Sequence, residues 1–351
     1  MSVFAQQDFD GHEQVVFASD PETGLKAIIA IHNTARGGAL GGCRMWAYAS
    51  EAEAVRDVLR LSRGMTYKNA LADLPFGGGK SVIIGDARSE KTPELMAAMG
   101  RAVDRLAGRY IIAEDVGTSV EDMAVIRSVT RHVAGLQEGG SGDPSPATAR
   151  GVFMGIRAAV DYRLRRNSLD GLRVVVQGLG HVGWDLCRQL AAEGVRLSVS
   201  DIRREHVERA VESFGATPID ADSVFDVEAD VFAPCALGAV INDNTLPRLK
   251  VTVVAGSSNN QLAENRHGAS LAARGILYAP DYVINAGGVI NISHEFGPSG
   301  TGYDRAAAFA HVDRIHDTLM MIFNRADAEG VPTNVAADRI AEERFKLSRV
   351  A

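Results

Sequence analysis

The sequence predicts an α/β chain of two domains, and three observations lead there. At 351 residues it is long for one compact core. Beyond about residue 145, short β-branched runs alternate with amphipathic stretches, the order that builds a parallel sheet with helices on both faces. Between the halves lies "GLQEGGSGDPSP" (135–146), whose glycines, serines and prolines suit a loop or hinge. The expected domains are 1–135, with the C-terminal 330–351 packing back on it, and 145–325.

In the first domain "GLKAIIAIHN" (24–33) and "RYIIAEDVG" (109–117) read as strands, apolar runs closed by polar residues or glycine. "SEAEAVRDVLRLSRGMTYKNAL" (50–71) reads as a helix, with Ser50 as N-cap, Glu53 at capping-box spacing and apolar residues at helical intervals. A second helix covers 92–108: Thr92 caps it, Pro93 suits its first turn and Gly108 ends it. In the second domain a helix from about Ala147 to Tyr162 precedes "LRVVVQGLGHVGWDLCRQLAAEG", a strand, turn and helix. "VRLSVSD" is the next strand and "REHVERAVESFG" the next helix; "ADVFAPCA", "VTVVAGSSNN" and "ILYAPDYVINAGG" read as later strands. The final stretch 332–348 is amphipathic.

Composition bounds the function. With 46% hydrophobic and 23% charged residues and a net charge of -7, the chain resembles an ordinary globular protein and offers no basic surface for nucleic acid or an anionic membrane. Its three cysteines, Cys43, Cys187 and Cys235, are far apart, so neither a disulfide framework nor a zinc cluster is expected, and they read as small buried hydrophobes. His32, His181, His206 and His294 show no ligand spacing, and no metal is expected. The N-terminus lacks the pattern of a secretory signal and no apolar run reaches bilayer length, which reads as cytoplasmic.

"VVVQGLGHVG" sets Gly178, Gly180 and Gly183 in the order GxGxxG after an apolar strand and at the start of a helix, with His181 and Val182 between them. The glycines serve a tight turn, close approach of a pyrophosphate and close helix-to-strand packing, and the helix N-terminus attracts the anion. A ligand-free βα turn would need no acid at the end of the next strand, yet Asp201 stands there, placed to accept from ribose hydroxyls and to repel a 2′-phosphate. NAD is therefore expected over NADP, although Arg203 and Arg204 follow at once.

"PFGGGKSVII" raises the question of a phosphate loop. The glycine that such a loop needs before Gly79 falls on Leu74, so that reading fails on spacing. Lys80 is instead expected where a glycine turn enters a strand and faces a cleft. Each glycine costs roughly 0.5–1 kcal/mol in regular structure, which implies close backbone approach. A lysine acts as a base at neutral pH when burial and a second cation disfavour its charge, and Lys68 is a candidate for that cation. Asp115 ends an apolar strand, a position that suits either a catalytic carboxylate or a plain turn.

The runs "GGALGGCRMW" (37–46), "GMTYKNALADLPFGGGKSVIIGD" (64–86), "AEDVGTS" (113–119), "GDPSPATARGV" (142–152), "VVQGLGHVG" (175–183), "GSSNNQL" (256–262) and "VINAGGVIN" (283–291) resemble the amino acid dehydrogenases that act on glutamate, leucine, phenylalanine and valine, in one order along nearly the whole chain. The leucine-acting branch is the most similar. The resemblance implies an N-terminal α/β substrate and oligomerisation domain and a Rossmann-type domain, with oxidative deamination of an L-amino acid to a 2-oxo acid and ammonia. It implies that Lys80 activates water, Lys68 binds the substrate carboxylate and Asp115 exchanges protons with the amine. Gly41 and Gly42 then line the substrate site, while Thr148, Asn259 and Asn285 meet nicotinamide or substrate. It also implies a homo-oligomer and a cleft that closes over substrate.

Glutamate enzymes of this family carry a lysine where this chain has Leu40. With Ala113, Val289 and Ile292 as further expected walls, the side-chain pocket is apolar, and an unpaired carboxylate there would cost several kcal/mol. Leucine and other branched-chain substrates are expected. The alternatives are a phenylalanine dehydrogenase or a silent NAD-binding regulator; the latter would lack the lysines. A hydroxy-acid dehydrogenase would want a histidine base among the motifs of the first domain.

Overall fold

In a computed structural model, residues 2–137, 139–296 and 302–347 are described and form two compact units. Among these residues the first unit draws on Met1–Asp143, Ile292–Arg305 and Ala341–Ala351, and the second on Pro144–Asn291 and Ala306–Ile340. This differs from the linear division read from sequence. Residues 292–305 fall with the first unit and 330–340 with the second.

The first unit is a five-stranded mixed sheet. β1 (Gln14–Asp20) and β2 (Leu25–Asn33) form an antiparallel hairpin; β3 (Ala39–Trp46), β4 (Gly77–Ile84) and β5 (Tyr110–Glu114) complete the order β1-β2-β4-β3-β5. β3 is parallel to both β4 and β5. Helix α1 (Glu51–Leu71) covers one face, setting Val55, Val58 and Leu59 on Ile28 and Val82. α2 (Pro93–Asp104) and α3 (Val120–Arg127) cover the other, with Met96, Met99, Val103 and Met123 against Ile29, Ile31 and Ile83. Burying one such side chain is worth about 1.5–3 kcal/mol. That outweighs the ~1 kcal/mol cost of Gly64 inside α1. The expected caps form: Ser50 Oγ accepts from the Glu53 N–H, and Thr92 Oγ1 from the Leu95 N–H ahead of Pro93.

β4 lies between neighbours and is buried along nearly its whole length, so it shows no alternation of polar and apolar residues. Its three glycines are strand residues and not the turn that the sequence suggested. At the C-terminus, Arg344 donates to the carbonyls of Ala70 and Leu71, which ties the end of the chain to α1.

The second unit opens with α4 (Ser145–Leu164) and contains a parallel six-stranded sheet: β6 (Arg173–Gln177), β7 (Arg196–Ser200), β8 (Thr217–Pro218), β9 (Val231–Pro234), β10 (Val253–Val254) and β11 (Leu277–Tyr278). Its order, β11-β10-β9-β6-β7-β8, starts inside, runs to one edge and returns to build the other, the doubly wound arrangement. α5 (His181–Ala192), α6 (Arg204–Phe214) and α7 (Arg266–Ala273) follow β6, β7 and β10. The long strand read into "ILYAPDYVINAGG" is only Leu277–Tyr278; Pro280 then opens α8 (Asp281–Ile284), and α9 (Gly287–Ser293) follows. Its β-branched residues pack as helix instead. α10 (Arg305–Asp313), α11 (Ile315–Glu329) and α12 (Thr333–Leu347) complete the chain. No helix among the described residues is long and apolar enough to cross a membrane.

Candidate active site and dinucleotide turn

Three close approaches, two by backbone and one by a ring, explain the glycines before Lys80. A Cβ at Gly77 would overlap the Asn33 carbonyl, one at Gly78 the backbone of Thr66 on α1, and one at Gly79 would meet the Tyr110 ring at 2.8 Å. Sheet neighbours, helix and ring therefore close on the strand just before the lysine. Lys80 itself is only 6% exposed. Burying an unpaired ammonium is costly, and the pairing is there: its Nζ lies 2.8 Å from Asp115 Oδ2, just beyond β5. Gly42 borders the pair, because a Cβ there would stand 2.8 Å from Asp115 Cβ and 3.2 Å from Lys80 Nζ.

Asp115 has a second cation. Arg44 on β3 brings its Nε to 3.2 Å from the same Oδ2, and its guanidinium also donates to Asp57 Oδ2 on α1 at 3.0 Å. Tyr48 OH donates to that Asp57 oxygen at 2.7 Å. Burial alone would raise the Asp115 carboxyl, but Lys80 and Arg44 outweigh it and hold the group below the usual carboxylate value. Cys43, beside Arg44, is fully buried, and its thiol is pushed up to about 12 by that burial. It is a packed thiol and not a nucleophile.

The remaining expected residues of the first unit sit as follows. Leu40 is buried on β3; Ala113 is buried on β5, in register with Gly42. Gly41 packs against the Gly79 carbonyl. Ile292 is buried. Lys68 is half-buried in the last turn of α1, two residues beyond the Thr66 that meets Gly78.

In the second unit, Gly178 takes φ +97°, where an L side chain is strained, and would also press on Ala236. Gly183 sits on the Gly178 carbonyl, which draws α5 tight to β6. Gly180, the N-cap of α5, has nothing within 4 Å of its would-be Cβ, and no side chain caps the first turn of the helix. Asp201 follows β7 and returns to this turn: its Oδ2 accepts from the Leu179 N–H at 2.6 Å and its Oδ1 from the Arg203 N–H at 2.8 Å. Asn285 donates to Asn259 Oδ1 at 2.8 Å, while its own Oδ1 is buried with no protein partner. Thr148 Oγ1 lies 2.8 Å from a Cβ at Gly288, and Val289 is half-buried on α9.

Among the site residues, Lys80, Asp115 and Gly42 come together, as do Asp201 with the glycine turn, Asn259 with Asn285, and Thr148 with the start of α9. Arg44, Asp57 and Tyr48 escaped sequence reasoning. Nothing in the local pattern of "GGCRMW" marks the arginine, whose partner lies 71 residues away.

A doubly wound sheet opening on a glycine turn, together with a separate α/β unit that buries a lysine on a carboxylate, defines a two-domain α/β dehydrogenase. The chain belongs to the glutamate/leucine/phenylalanine/valine dehydrogenase family, whose dimerisation domain matches residues 12–132 and whose second domain matches 139–203 and 197–337. A leucine dehydrogenase of Thermoactinomyces intermedius is 54% identical, covering 99% of this chain and 95% of that protein. A phenylalanine dehydrogenase of Caldalkalibacillus thermarum is 47% identical over 99% of this chain and 94% of its own length. The crystal structure of L-tryptophan dehydrogenase from Nostoc punctiforme superposes with a TM-score of 0.85 at 46% identity, covering 97% of each chain. The protein is an amino acid dehydrogenase.

Proposed function

We propose that the protein catalyses the reversible, NAD-dependent oxidative deamination of L-leucine and related branched-chain amino acids to the 2-oxo acid and ammonia. The observation that carries this reading is the buried contact of Lys80 Nζ with Asp115, 2.8 Å long, against which Gly42 packs so closely that any side chain there would collide with Asp115. Lys80 takes a proton from water as the water oxygen adds to the imine carbon of the oxidised substrate, and returns it as ammonia leaves. Asp115 exchanges protons with the substrate nitrogen. Lys68 pairs with the substrate carboxylate.

The glycine turn suits a dinucleotide: Gly180 leaves open space at an uncapped helix N-terminus, and the partnerless Asn285 Oδ1 awaits a donor such as a carboxamide N–H. The amides that follow Gly180 would hold the pyrophosphate, with Gly183 keeping α5 close. Asp201 would take the ribose hydroxyls, and Thr148, Asn259 and Asn285 the nicotinamide end. When bound, NAD supplies the hydride acceptor. Leu40, Ala113, Val289 and Ile292 offer apolar walls, and the 54% identity to a leucine dehydrogenase favours the leucine type. The family's dimerisation domain favours a homo-oligomer, and cytoplasmic residence accords with the absence of a membrane-spanning helix among the described residues.

NADH formation from leucine, valine, phenylalanine, tryptophan and glutamate tests the reading, with kcat/KM expected highest for leucine and for NAD over NADP. The similarity to phenylalanine and tryptophan dehydrogenases makes an aromatic substrate the second reading; preference for either amino acid would replace leucine. Lys80→Ala should lower kcat by about 10²–10⁴-fold with NADH binding intact. Unchanged turnover would remove Lys80 as the base.

A further inference from the structure

We infer that Arg44 is a positioning residue that sets the charge on Asp115 so that Lys80 can release and regain a proton. The inference rests on the reading of Lys80 as the base. On its own, a carboxylate 2.8 Å from an ammonium holds that ammonium charged, which defeats a base. Here the same oxygen, Asp115 Oδ2, also faces Arg44 Nε at 3.2 Å. Two cations on one oxygen repel each other and divide its charge. Arginine keeps its proton at any working pH, so the lysine is the member of the pair that can give one up.

Arg44 is itself held on both sides. Asp57 fixes the far end of the guanidinium at 3.0 Å and partly neutralises it, and Tyr48 fixes Asp57 at 2.7 Å. The arginine therefore stays against Asp115, while β4, the end of β5, β3 and α1 supply in turn the members of the chain Lys80, Asp115, Arg44, Asp57. Other charged or titratable groups on the elements packed around Lys80 include Tyr110 and Glu114 on β5, Lys26 and His32 on β2, Tyr67 and Lys68 among the charged or titratable residues along α1, and Cys43 on β3. Cys43 is uncharged, because its burial pushes the thiol up to about 12.

The arrangement predicts opposite effects from two neighbouring substitutions. Arg44→Gln removes a cation and leaves Asp115 wholly to Lys80; Asp57→Asn strips Arg44 of its counter-charge and strengthens its hold on Asp115. Trace acetylation of Lys80 in the full-length protein, followed by peptide mass spectrometry across pH, reads this without any turnover. The labelling midpoint should rise by about one pH unit in Arg44→Gln, a tenfold change in the proton equilibrium, fall in Asp57→Asn, and stay near wild type in Arg44→Lys. The ascending limb of kcat/KM should move with it. Midpoints unchanged, or both substitutions moving them the same way, would overturn the inference. If Arg44→Gln does not fold, the direction of the Asp57→Asn shift decides alone. Labelling shifts as expected beside a fully active Lys80→Ala would leave the charge balance standing and remove only the base.

Discussion

In the first unit Gly77, Gly78 and Gly79 lie inside β4 without a positive φ, and the protein fills the space their missing side chains leave, with Asn33, Thr66 and Tyr110. In the second unit Gly178 needs its positive φ, Gly183 meets a carbonyl, and Gly180 faces nothing. Both stretches adjoin an apolar strand and read alike on paper. The difference lies in what occupies the vacated volume: a run of glycines can let a protein pack on itself, and only the glycine left uncovered marks room for a ligand.

The sharpest break of this comparison is Gly78→Ala. Its methyl would run into the Thr66 backbone, and α1 or β4 must shift; a loss of about 3 kcal/mol or more, or failure to fold, should appear in denaturant unfolding. A variant as stable as wild type would show that the helix contact is not what demands glycine.

The next effect in size follows the same filled space one residue further. Thr66 Oγ1 lies 2.7 Å from His32 Nδ1, and the His12 ring stacks edge-on at 4.8 Å. Burial, with His12 beside it, pushes the His32 imidazole down from 6.5 to about 4. A histidine whose folded value is lowered favours the neutral form. Its contribution is therefore complete above pH 6.5 and drains away as the pH falls toward 4, by up to about 3 kcal/mol. Unfolding midpoints should drop across that window and drop less in His32→Gln. An identical slope in the variant would assign the acid sensitivity elsewhere.

Gly180→Ala should be the mildest change in stability, with Tm within a degree or two of wild type, since its methyl meets no atom. NADH affinity, read by fluorescence titration, should nevertheless weaken about tenfold as the methyl enters the pyrophosphate's space. A stable variant with undiminished affinity would mean that the open turn is not where the dinucleotide binds.

The elements that carry their own punctuation were legible. α1 and α2 announce themselves through Ser50, Thr92 and Pro93, and the turn before α5 through glycine spacing and Asp201. β3 was not read as a strand, because "ALGGCRMW" holds two glycines and no β-branched residue; its strand character comes from lying between β4 and β5. For the same reason the glycines of β4 looked like a turn. "DYVINAGG" failed the opposite way, β-branched yet helical, since Pro280 starts a helix there. At the site, Lys80 and Asp115 stood out by motif. Arg44 did not, because its role lies in a contact that only the sheet order creates.

Asp201 is fastened by both oxygens to main-chain N–H groups, one in the turn after β6 and one before α6. Redesign for a phosphorylated cofactor by simple replacement of this acid would thus unstitch two loops at once. A more promising route keeps the carboxylate as a structural staple and recruits the neighbouring guanidinium groups of Arg203 and Arg204, both already at the surface.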